Sequence, residues 1–417
     1  MKKILTLLAV TIMIILAACQ APVQVDVTEA VESITTAIPT VIPETEAVDP
    51  VTTTVPTAVP ETEAPVTSEQ VTIDYAKNFT LDYKDGYKLL TVSVPWMGAT
   101  ESMVYALVPE GFDSTIDLEG VTVIQTPIDS IVSLSSTYLP FLEQIGELES
   151  LVAVDTADYI YNEEVRHWAS SGMIAQVGSG PSVDVEKMIE LNPDLIMTSA
   201  TGMAEYDTHP VLEQAGLPVV INSDYLEQDP LGRAEWSKFI AAFYDKEAQA
   251  DQLFDEMVQR YEAAKALTAT VTDKVSVFIN TPYEGTWYMA GNESYAAILL
   301  RDAGANYLWD DLEGTSAWPV DFEAVVDRAK EAEFWVNVGF ANSLSDLTAI
   351  DSRTADFKAF QEGKVYNNNA RVSDMGGTDY YESGVANPDV VLLDLIKIFY
   401  PELAGEHEFF YYQQLGE

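Results

Sequence analysis

One uninterrupted helical stretch limits the folds that this chain can adopt. Residues 245–268 read DKEAQADQLFDEMVQRYEAAKALT and contain neither glycine nor proline. Apolar side chains recur at the spacing of one helical face; they are Ala250, Leu253, Phe254, Met257, Tyr261, Ala264 and Leu267. Asp245 is placed to cap the first turn. A helix of this length spans roughly 35 Å. It can therefore serve as a rigid strut between two lobes, although packing on a single domain is an open alternative.

Short apolar runs alternate with helical patterns on both sides of this stretch. Before it, the predicted strands are 121–124, 131–134, 151–154, 195–197 and 219–221, and the predicted helices are 137–145, 185–191, 210–214 and 233–244. After it, the predicted strands are 275–279, 287–289, 334–338 and 365–366, and the predicted helices are 295–302, 322–329, 355–362 and 389–399. This alternation predicts an α/β protein of two similar lobes, each with a mostly parallel sheet covered by helices.

The boundaries follow from these patterns and from two changes of composition. Residues 73–120 form a β-rich lead-in, in which the Asp85-Gly86 turn joins two strand candidates. The N-terminal lobe is expected over 121–244, the inter-lobe helix over 245–268 and the C-terminal lobe over 269–417, with a ligand cleft between the lobes. Residues 1–19 and 20–72 precede the folded part.

The N-terminus has the pattern of an export signal. Lys2 and Lys3 precede an apolar run, and Leu16-Ala17-Ala18-Cys19 ends it like a bacterial lipobox. Cys19 is the only cysteine of the chain, so an internal disulfide is impossible and lipidation is the better explanation. We therefore expect residues 1–19 to be a lipoprotein signal, and the protein to be exported and lipid-anchored to the outer face of a membrane.

Residues 20–72 differ sharply from the rest of the chain. They are rich in Val, Thr, Pro, Ala and Glu, contain no Lys or Arg, and repeat the motif PETEA at 43–47 and 60–64. Proline-rich sequence of one charge sign cannot bury a core and repels itself. This segment is predicted to be a disordered tether.

The two halves share one local pattern. Asp184 and Glu186 open a helix that leads into the strand at 195–197, and Asp321 and Glu323 open the corresponding helix before the strand at 334–338. Each aspartate suits a helix N-cap, and each glutamate gains from the positive end of its helix.

Three segments, taken in order behind a lipobox, resemble a known family. They are GSGPSVDVEKMIELNPDLIM at 178–197, GRAEWSKFIAAFYDKEAQAD at 232–251 and ANPDVVLLDLIKIFYPEL at 386–403. This combination is similar to the solute-binding lipoproteins of ABC importers for iron-siderophores and cobalamin. The resemblance implies a two-lobe binder with modest lobe movement, no intrinsic cofactor and no enzymatic activity. The implied ligand is a ferric siderophore, haem or a corrinoid, and the implied partners are an ABC permease and its ATPase.

The same resemblance suggests how the protein meets its permease. In that family a glutamate on each lobe docks onto permease arginines, and the matching positions here are Glu186 and Glu323. Exposed carboxylates at the rim of an interface speed the encounter with a basic partner surface and fix the orientation in which the two proteins dock. The second motif departs from the family because Ala332-Glu333 stands where Pro-Asp is usual. On the residues alone, both glutamates are better explained as capping-turn residues of solvated helices.

The net charge of −46 limits the possible partners. Nucleic acid and anionic lipid would be repelled, so the membrane is expected to be met only through the lipid anchor. An anionic solute would need local positive charge in the cleft. The arginines in or beside predicted loops are Arg166, Arg233 and Arg371. Each of them can also be a surface ion-pair partner.

Aromatic residues are dense in the segments that follow the predicted strands, where ligands bind in open α/β sheets. Such side chains suit flat, large ligands, although many can equally be packing residues. The candidates are Tyr138, Tyr206, Tyr283, Trp287, Tyr288, Trp318 and Tyr380.

Catalytic motifs are absent from the sequence. The three histidines are His167, His209 and His407, with no HExxH, GxSxG or P-loop pattern. His167 and His209 with a carboxylate can supply part of a zinc or manganese site, and His167 can serve as a haem ligand. A surface lipoprotein that binds glycan or protein remains the alternative from another functional class, with a remote enzyme third.

Overall fold

The computed structural model describes residues 70–112 and 121–417. Cys19, the signal and nearly all of the tether lie outside the described residues. Within the described ranges, no helix combines the length and the apolar character needed to cross a bilayer.

The lead-in folds into a four-stranded sheet. Its strands are β1 (Phe79–Lys84), β2 (Tyr87–Val92), β3 (Met103–Pro109) and β4 (Thr122–Thr126), in that order across the sheet. Strands β1 and β2 form the hairpin predicted from Asp85-Gly86, with Lys84 paired to Tyr87. Strand β4 was expected to open the N-terminal lobe; instead it pairs parallel with β3, so the lead-in reaches further along the chain than predicted.

The N-terminal lobe is built on a five-stranded parallel sheet. Its strands are β5 (Ile131–Ser133), β6 (Leu151–Val154), β7 (Ala175–Gln176), β8 (Leu195–Thr198) and β9 (Val219–Ile221), in the order β7-β6-β5-β8-β9. Its helices are α1 (Leu139–Gln144), α2 (Glu163–Ser171), α3 (Val185–Leu191), α4 (His209–Gln214), α5 (Pro230–Ala234) and α6 (Trp236–Ala241). The predicted helix at 233–244 is therefore divided into two, and α2 was not predicted.

The long helix α7 (Glu247–Thr268) joins the two lobes, as the sequence predicts. Ala250 in its first turn packs in an N-terminal-lobe core, whereas Phe254, Met257 and Tyr261 pack in the C-terminal-lobe core. The expected cap is wrong: Asp245 has a left-handed backbone conformation and makes an ion pair with Lys88 instead, so no side chain caps this helix.

The C-terminal lobe contains two sheets. The larger has the order β13-β10-β15-β16-β17 and the smaller the order β11-β12-β14. Their strands are β10 (Ser276–Ile279), β11 (Pro282–Tyr283), β12 (Thr286–Ala290), β13 (Asn306–Tyr307), β14 (Ala317–Asp321), β15 (Phe334–Val336), β16 (Val365–Asn367) and β17 (Gln413–Gln414). The helices are α8 (Tyr295–Asp302), α9 (Phe322–Ala329), α10 (Leu344–Ile350), α11 (Lys358–Gln361) and α12 (Pro388–Phe399). All pairs in the larger sheet are parallel except that of β17.

The segment that leads into β1 is fixed to the helices at the junction of the lobes. The fully buried Glu235 carboxylate accepts hydrogen bonds from the backbone N–H groups of Asp74, Tyr75 and Ala76 at 2.8–2.9 Å. The equally buried Lys238 ammonium lies 3.0 Å from Glu235. Because the three N–H groups have this carboxylate as acceptor, the lead-in is locked onto α5 and α6 rather than lying loosely on the surface.

Candidate functional site

The candidate site lies where loops from both lobes meet at the carboxyl ends of the parallel strands. From the N-terminal lobe come the segments after β6 and β9 and helix α5, which the Asp229 side chain caps by accepting from Leu231 N–H at 2.8 Å. From the C-terminal lobe come the first turn of α8 and the loop at 371–384. This edge is the usual ligand position in open α/β sheets.

Arg233 joins the two lobes at this point. Its Nε donates to the buried Asp224 carboxylate at 2.9 Å, and its guanidinium lies 5.7 Å from the ring centre of Tyr295 in the opposite lobe. Burial alone would lower the pKa of the Arg233 guanidinium, but the Asp224 carboxylate together with Tyr295 and Tyr380 outweighs it, so the pKa is raised. The cation is therefore held in place and its charge is balanced.

Tyrosines line the C-terminal-lobe side. Burial raises the pKa of Tyr295 to about 12, and Tyr380 packs edge-on against Tyr411 and Tyr412 with ring centres 6.1 and 5.8 Å away. Burial likewise raises the pKa of Tyr380. These side chains stay neutral across the physiological range, and Tyr295 and Tyr380 are only partly exposed, so they offer ring faces and neutral hydroxyls.

A second arginine has a similar environment. Arg371 donates from Nε to the buried Asp379 carboxylate at 2.5 Å. Its guanidinium lies 4.2 Å from the ring centre of Phe410 and 5.0 Å from that of Tyr161 in the N-terminal lobe. Both site arginines are thus paired with acids and stacked on aromatic rings.

Two further carboxylates lie on the segments 155–162 and 371–384. Glu382 accepts from the backbone N–H groups of Tyr161 and Asn162, and burial raises its pKa to about 7. Asp155 follows β6, and burial raises its pKa to about 6. No lysine or arginine of the described residues forms an ion pair with either group. Both are therefore acidic groups whose charged form is disfavoured by burial.

Two predicted ligand contacts are wrong. Trp287 is fully buried in the C-terminal-lobe core, where its Nε1–H donates to the Ile279 carbonyl at 2.8 Å. Tyr138 is 1% exposed, and its hydroxyl lies against the Asn222 carbonyl at 3.5 Å. Neither ring presents a face to a solute, because each is enclosed by its own lobe. The sequence pattern could not separate these packing aromatics from binding ones.

The remaining predicted contacts have accessible surface. Tyr206, Tyr283 and Trp318 are each more than a third exposed, and Tyr288 is partly exposed. Arg166 lies on α2, partly exposed, and its Nε has no hydrogen-bond partner among the residues described. These five residues remain predictions, since no contact links them directly to the Arg233–Tyr295 pair.

The two predicted docking glutamates are both exposed. Glu186 lies in the first turn of α3, where the Asp184 side chain accepts from Lys187 N–H at 2.9 Å as expected for a cap. Glu323 is 78% exposed and lies 2.9 Å from Arg353. Asp321 occupies the equivalent N-cap position but makes no side-chain capping bond.

Several site residues escaped the sequence analysis. They are Asp155, Tyr161, Asp224, Tyr295, Asp379 and Glu382. Isolated acids and a tyrosine at a helix start carry no motif, and their roles arise from pairing across the fold. The position of Asp155 directly after a buried strand was the one available signal.

Two cavities of the described residues lie away from this region. One of 440 Å³ is bordered by Trp96, residues 98–105 and Thr122, and one of 720 Å³ lies between α2, β7 and α3. Among the described residues, no group of three His, Cys, Asp or Glu side chains is arranged to hold a metal ion. His209 instead stacks on Trp96, with ring centres 5.5 Å apart.

Comparison with known proteins agrees with this architecture. A protein described as an uncharacterized lipoprotein from Methanocaldococcus jannaschii is 28% identical over 292 residues, which cover 67% of each chain. A Bacillus subtilis protein described as an ABC transporter substrate-binding lipoprotein is 29% identical over 198 residues, which cover 46% of this chain and 60% of the relative.

Solved structures show the same fold. A possible iron-binding, periplasmic solute-binding protein from Staphylococcus epidermidis superposes with a TM-score of 0.52 at 20% identity, covering 66% of this chain and all of the other. A periplasmic binding protein from Veillonella parvula gives 0.51 at 13% identity, covering 74% and 97%. The family described as periplasmic binding protein matches residues 131–371, more than half of the chain. The two-lobe α/β fold predicted from the sequence is confirmed, and the chain belongs to the periplasmic binding protein family.

Proposed function

We propose that this protein is the extracytoplasmic solute-binding lipoprotein of an ABC importer, and that it captures an iron chelate, haem or a corrinoid between its lobes. Family membership supports a binding role. The Bacillus relative is described as an ABC transporter substrate-binding lipoprotein, and the Staphylococcus structure as possibly iron-binding. The partners are then a permease and its ATPase.

One observation supports a binding site between the two lobes. Arg233 of the N-terminal lobe and Tyr295 of the C-terminal lobe approach within 5.7 Å, with Tyr380 beside them. Aromatic rings and hydroxyls that converge from two rigid lobes suit a large ligand with flat faces and polar edges. A chelate or corrinoid has that chemistry.

Delivery needs a docking surface as well as a cleft. Glu186 and Glu323 open helices in different lobes, and both carboxylates are exposed. We propose that they engage basic residues of the permease. The lipobox at Cys19 would keep the protein at the membrane that holds this permease.

Titration of the purified full-length protein tests the proposal. Ferric siderophores, haem and cobalamin are added while tryptophan fluorescence and calorimetric heat are recorded, with an oligosaccharide panel as the comparison. Saturable binding of at least one metal chelate is expected. Heat from an oligosaccharide alone would overturn the proposal in favour of a glycan-binding lipoprotein.

A further inference from the structure

The charges around the site limit which solutes it can accept. Arg233 is paired with Asp224 and Arg371 with Asp379, at 2.9 and 2.5 Å, and both carboxylates are at most 5% exposed. A buried carboxylate at hydrogen-bond distance cancels most of the field that its arginine would exert on a ligand. Neither guanidinium is therefore available as a full counter-charge for an anion.

Two other acidic side chains, Glu382 and Asp155, also disfavour an anionic solute. Glu382 lies on the loop 371–384 and Asp155 on the loop 155–162. The two loops are in close contact at Gly377, since a Cβ atom added there would lie only 2.5 Å from the Ile160 carbonyl oxygen. Their hydrogen bonds come from backbone N–H groups and not from cations. An incoming anion would raise the cost of ionising both of them.

The N-terminal lobe carries a further cation near these loops, Arg166. It lies one turn into α2, the helix whose N-terminal segment donates to Glu382, and it forms no ion pair with any residue that the structure describes. Arg233 and Arg371 are each matched by a buried carboxylate, Asp224 and Asp379, in a chain whose net charge is −46. Burial disfavours the charged forms of Asp155 and Glu382. The net charge of the side chains around the site is therefore close to zero, although the protein as a whole is strongly acidic.

We infer that the solute is a chelate or corrinoid of low net charge, neutral or cationic, held by tyrosine rings and hydroxyls rather than by free cations. This inference rests on the proposed function and narrows it. A polyanionic complex would meet no uncompensated pair of arginines and would approach against the field of the whole protein. A neutral complex has no such penalty, and its polar edges can bond to Tyr295, Tyr380 and the arginine N–H groups that the carboxylates leave free.

Matched ferric complexes provide the probes. Three hydroxamates each carry one negative charge and neutralise Fe³⁺, whereas three catecholates each carry two and leave the complex strongly anionic. Calorimetry of the full-length protein with one complex of each kind is expected to show at least tenfold tighter binding of the trihydroxamate. Raising the salt concentration is expected to leave the affinity for the neutral complex nearly unchanged.

Variants of the two aspartates test whether neutralisation of the arginines causes this preference. Asp379→Asn and Asp224→Asn each free an arginine, so each is expected to improve tricatecholate affinity at least threefold relative to trihydroxamate affinity. Asp311→Asn is the matched control, because Asp311 pairs with the exposed Arg328 and contacts no site residue. Thermal unfolding of each variant establishes that it is folded, and Asp379→Asn stands as the second variant if Asp224→Asn does not fold.

The outcomes separate this inference from the proposed function. Equal or tighter binding of the tricatecholate by the unmodified protein overturns the inference and leaves the importer proposal standing. An unchanged ratio of affinities in both aspartate variants also overturns it. If no complex of either charge and no corrinoid binds, the proposed function fails and the inference fails with it.

Discussion

The carboxylate of Glu382 in the C-terminal lobe accepts a hydrogen bond from the backbone N–H of Tyr161 in the N-terminal lobe, at 2.7 Å. A second bond from Asn162 N–H, at 2.8 Å, makes the contact two-pronged. Glu382 is 4% exposed. The two lobes are thus fastened to each other at one end of the cleft by a buried acid, in addition to the long helix α7. Such a fastening fits a binder whose lobes move only modestly.

Replacing Glu382 with glutamine is expected to flatten the dependence of stability on pH. Burial raises the Glu382 pKa from its usual 4.5 to about 7, so the folded state binds the proton more tightly than the unfolded state. Its contribution is present below about pH 4.5 and is lost as pH rises to about 7. The total is at most about 3.5 kcal/mol, since the shift is about 2.5 pKa units and one unit is about 1.4 kcal/mol.

Urea unfolding of the wild type and Glu382→Gln across this pH range provides the measurement. The wild type is expected to lose more stability than the variant between these pH values. Glu190→Gln is the control, because Glu190 is an exposed residue of α3 paired with Lys187. Parallel pH profiles for the wild type and Glu382→Gln would contradict the assignment.

Glu235→Ala is expected to destabilise the protein strongly. The change removes the acceptor of three backbone N–H groups and takes from the buried Lys238 one of its two carboxylate partners, which leaves Asp251. Breaking a buried pair of this kind costs about 3–5 kcal/mol. Chemical denaturation measures the loss, with Glu262→Ala on the exposed face of α7 as control. A loss below about 1 kcal/mol, within the range of ordinary surface changes, would show that the lead-in is not fixed in this way.

The double substitution Glu186→Lys/Glu323→Lys is expected to abolish or strongly slow transport while leaving solute affinity unchanged. Rim charges set encounter rate and register more than affinity for the solute. Uptake in cells and solute titration of the purified protein are the two readouts. Glu256→Lys/Glu331→Lys changes the net charge equally at other exposed positions and serves as control. Normal uptake by the first variant would remove both glutamates from the docking surface.

Cys19→Ser is expected to release the protein from the membrane. The lipobox and the tether behind it predict attachment through acyl chains on this residue. Fractionation followed by detection of the protein is the measurement. Retention of an unprocessed variant in the membrane would mean that residues 1–19 act as a membrane-spanning anchor.

Most of the scaffold could be predicted because its signals are local. Phe322–Ala329 and Tyr295–Asp302 are helices with the predicted limits, and β9 also has its predicted bounds. Periodicity and caps suffice for such elements. The strand at 122–126 was assigned to the wrong sheet, because its pairing with β3 is a tertiary choice that an apolar run does not encode.

The candidate site was harder to predict because its contacts are also set by tertiary structure and not by local sequence. Arg233 and Arg371 were found from their loop positions, yet the acids that neutralise them, Asp224 and Asp379, were not. Trp287 was predicted to contact the ligand and Tyr295 was not, yet Trp287 packs in the core and Tyr295 lies near Arg233. Which aromatic faces the cleft depends on the packing of the whole lobe.

The affinity of the Tyr295→Ala variant for the tightest-binding chelate tests the central claim most directly. If the solute lies between the lobes against Tyr295 and Arg233, losing the ring is expected to weaken binding about tenfold, which corresponds to about 1.4 kcal/mol. Tyr87→Ala, in the lead-in sheet where Tyr87 packs on Phe112, is expected to bind like the wild type. Unchanged affinity in a folded Tyr295→Ala protein would contradict a binding site at this position.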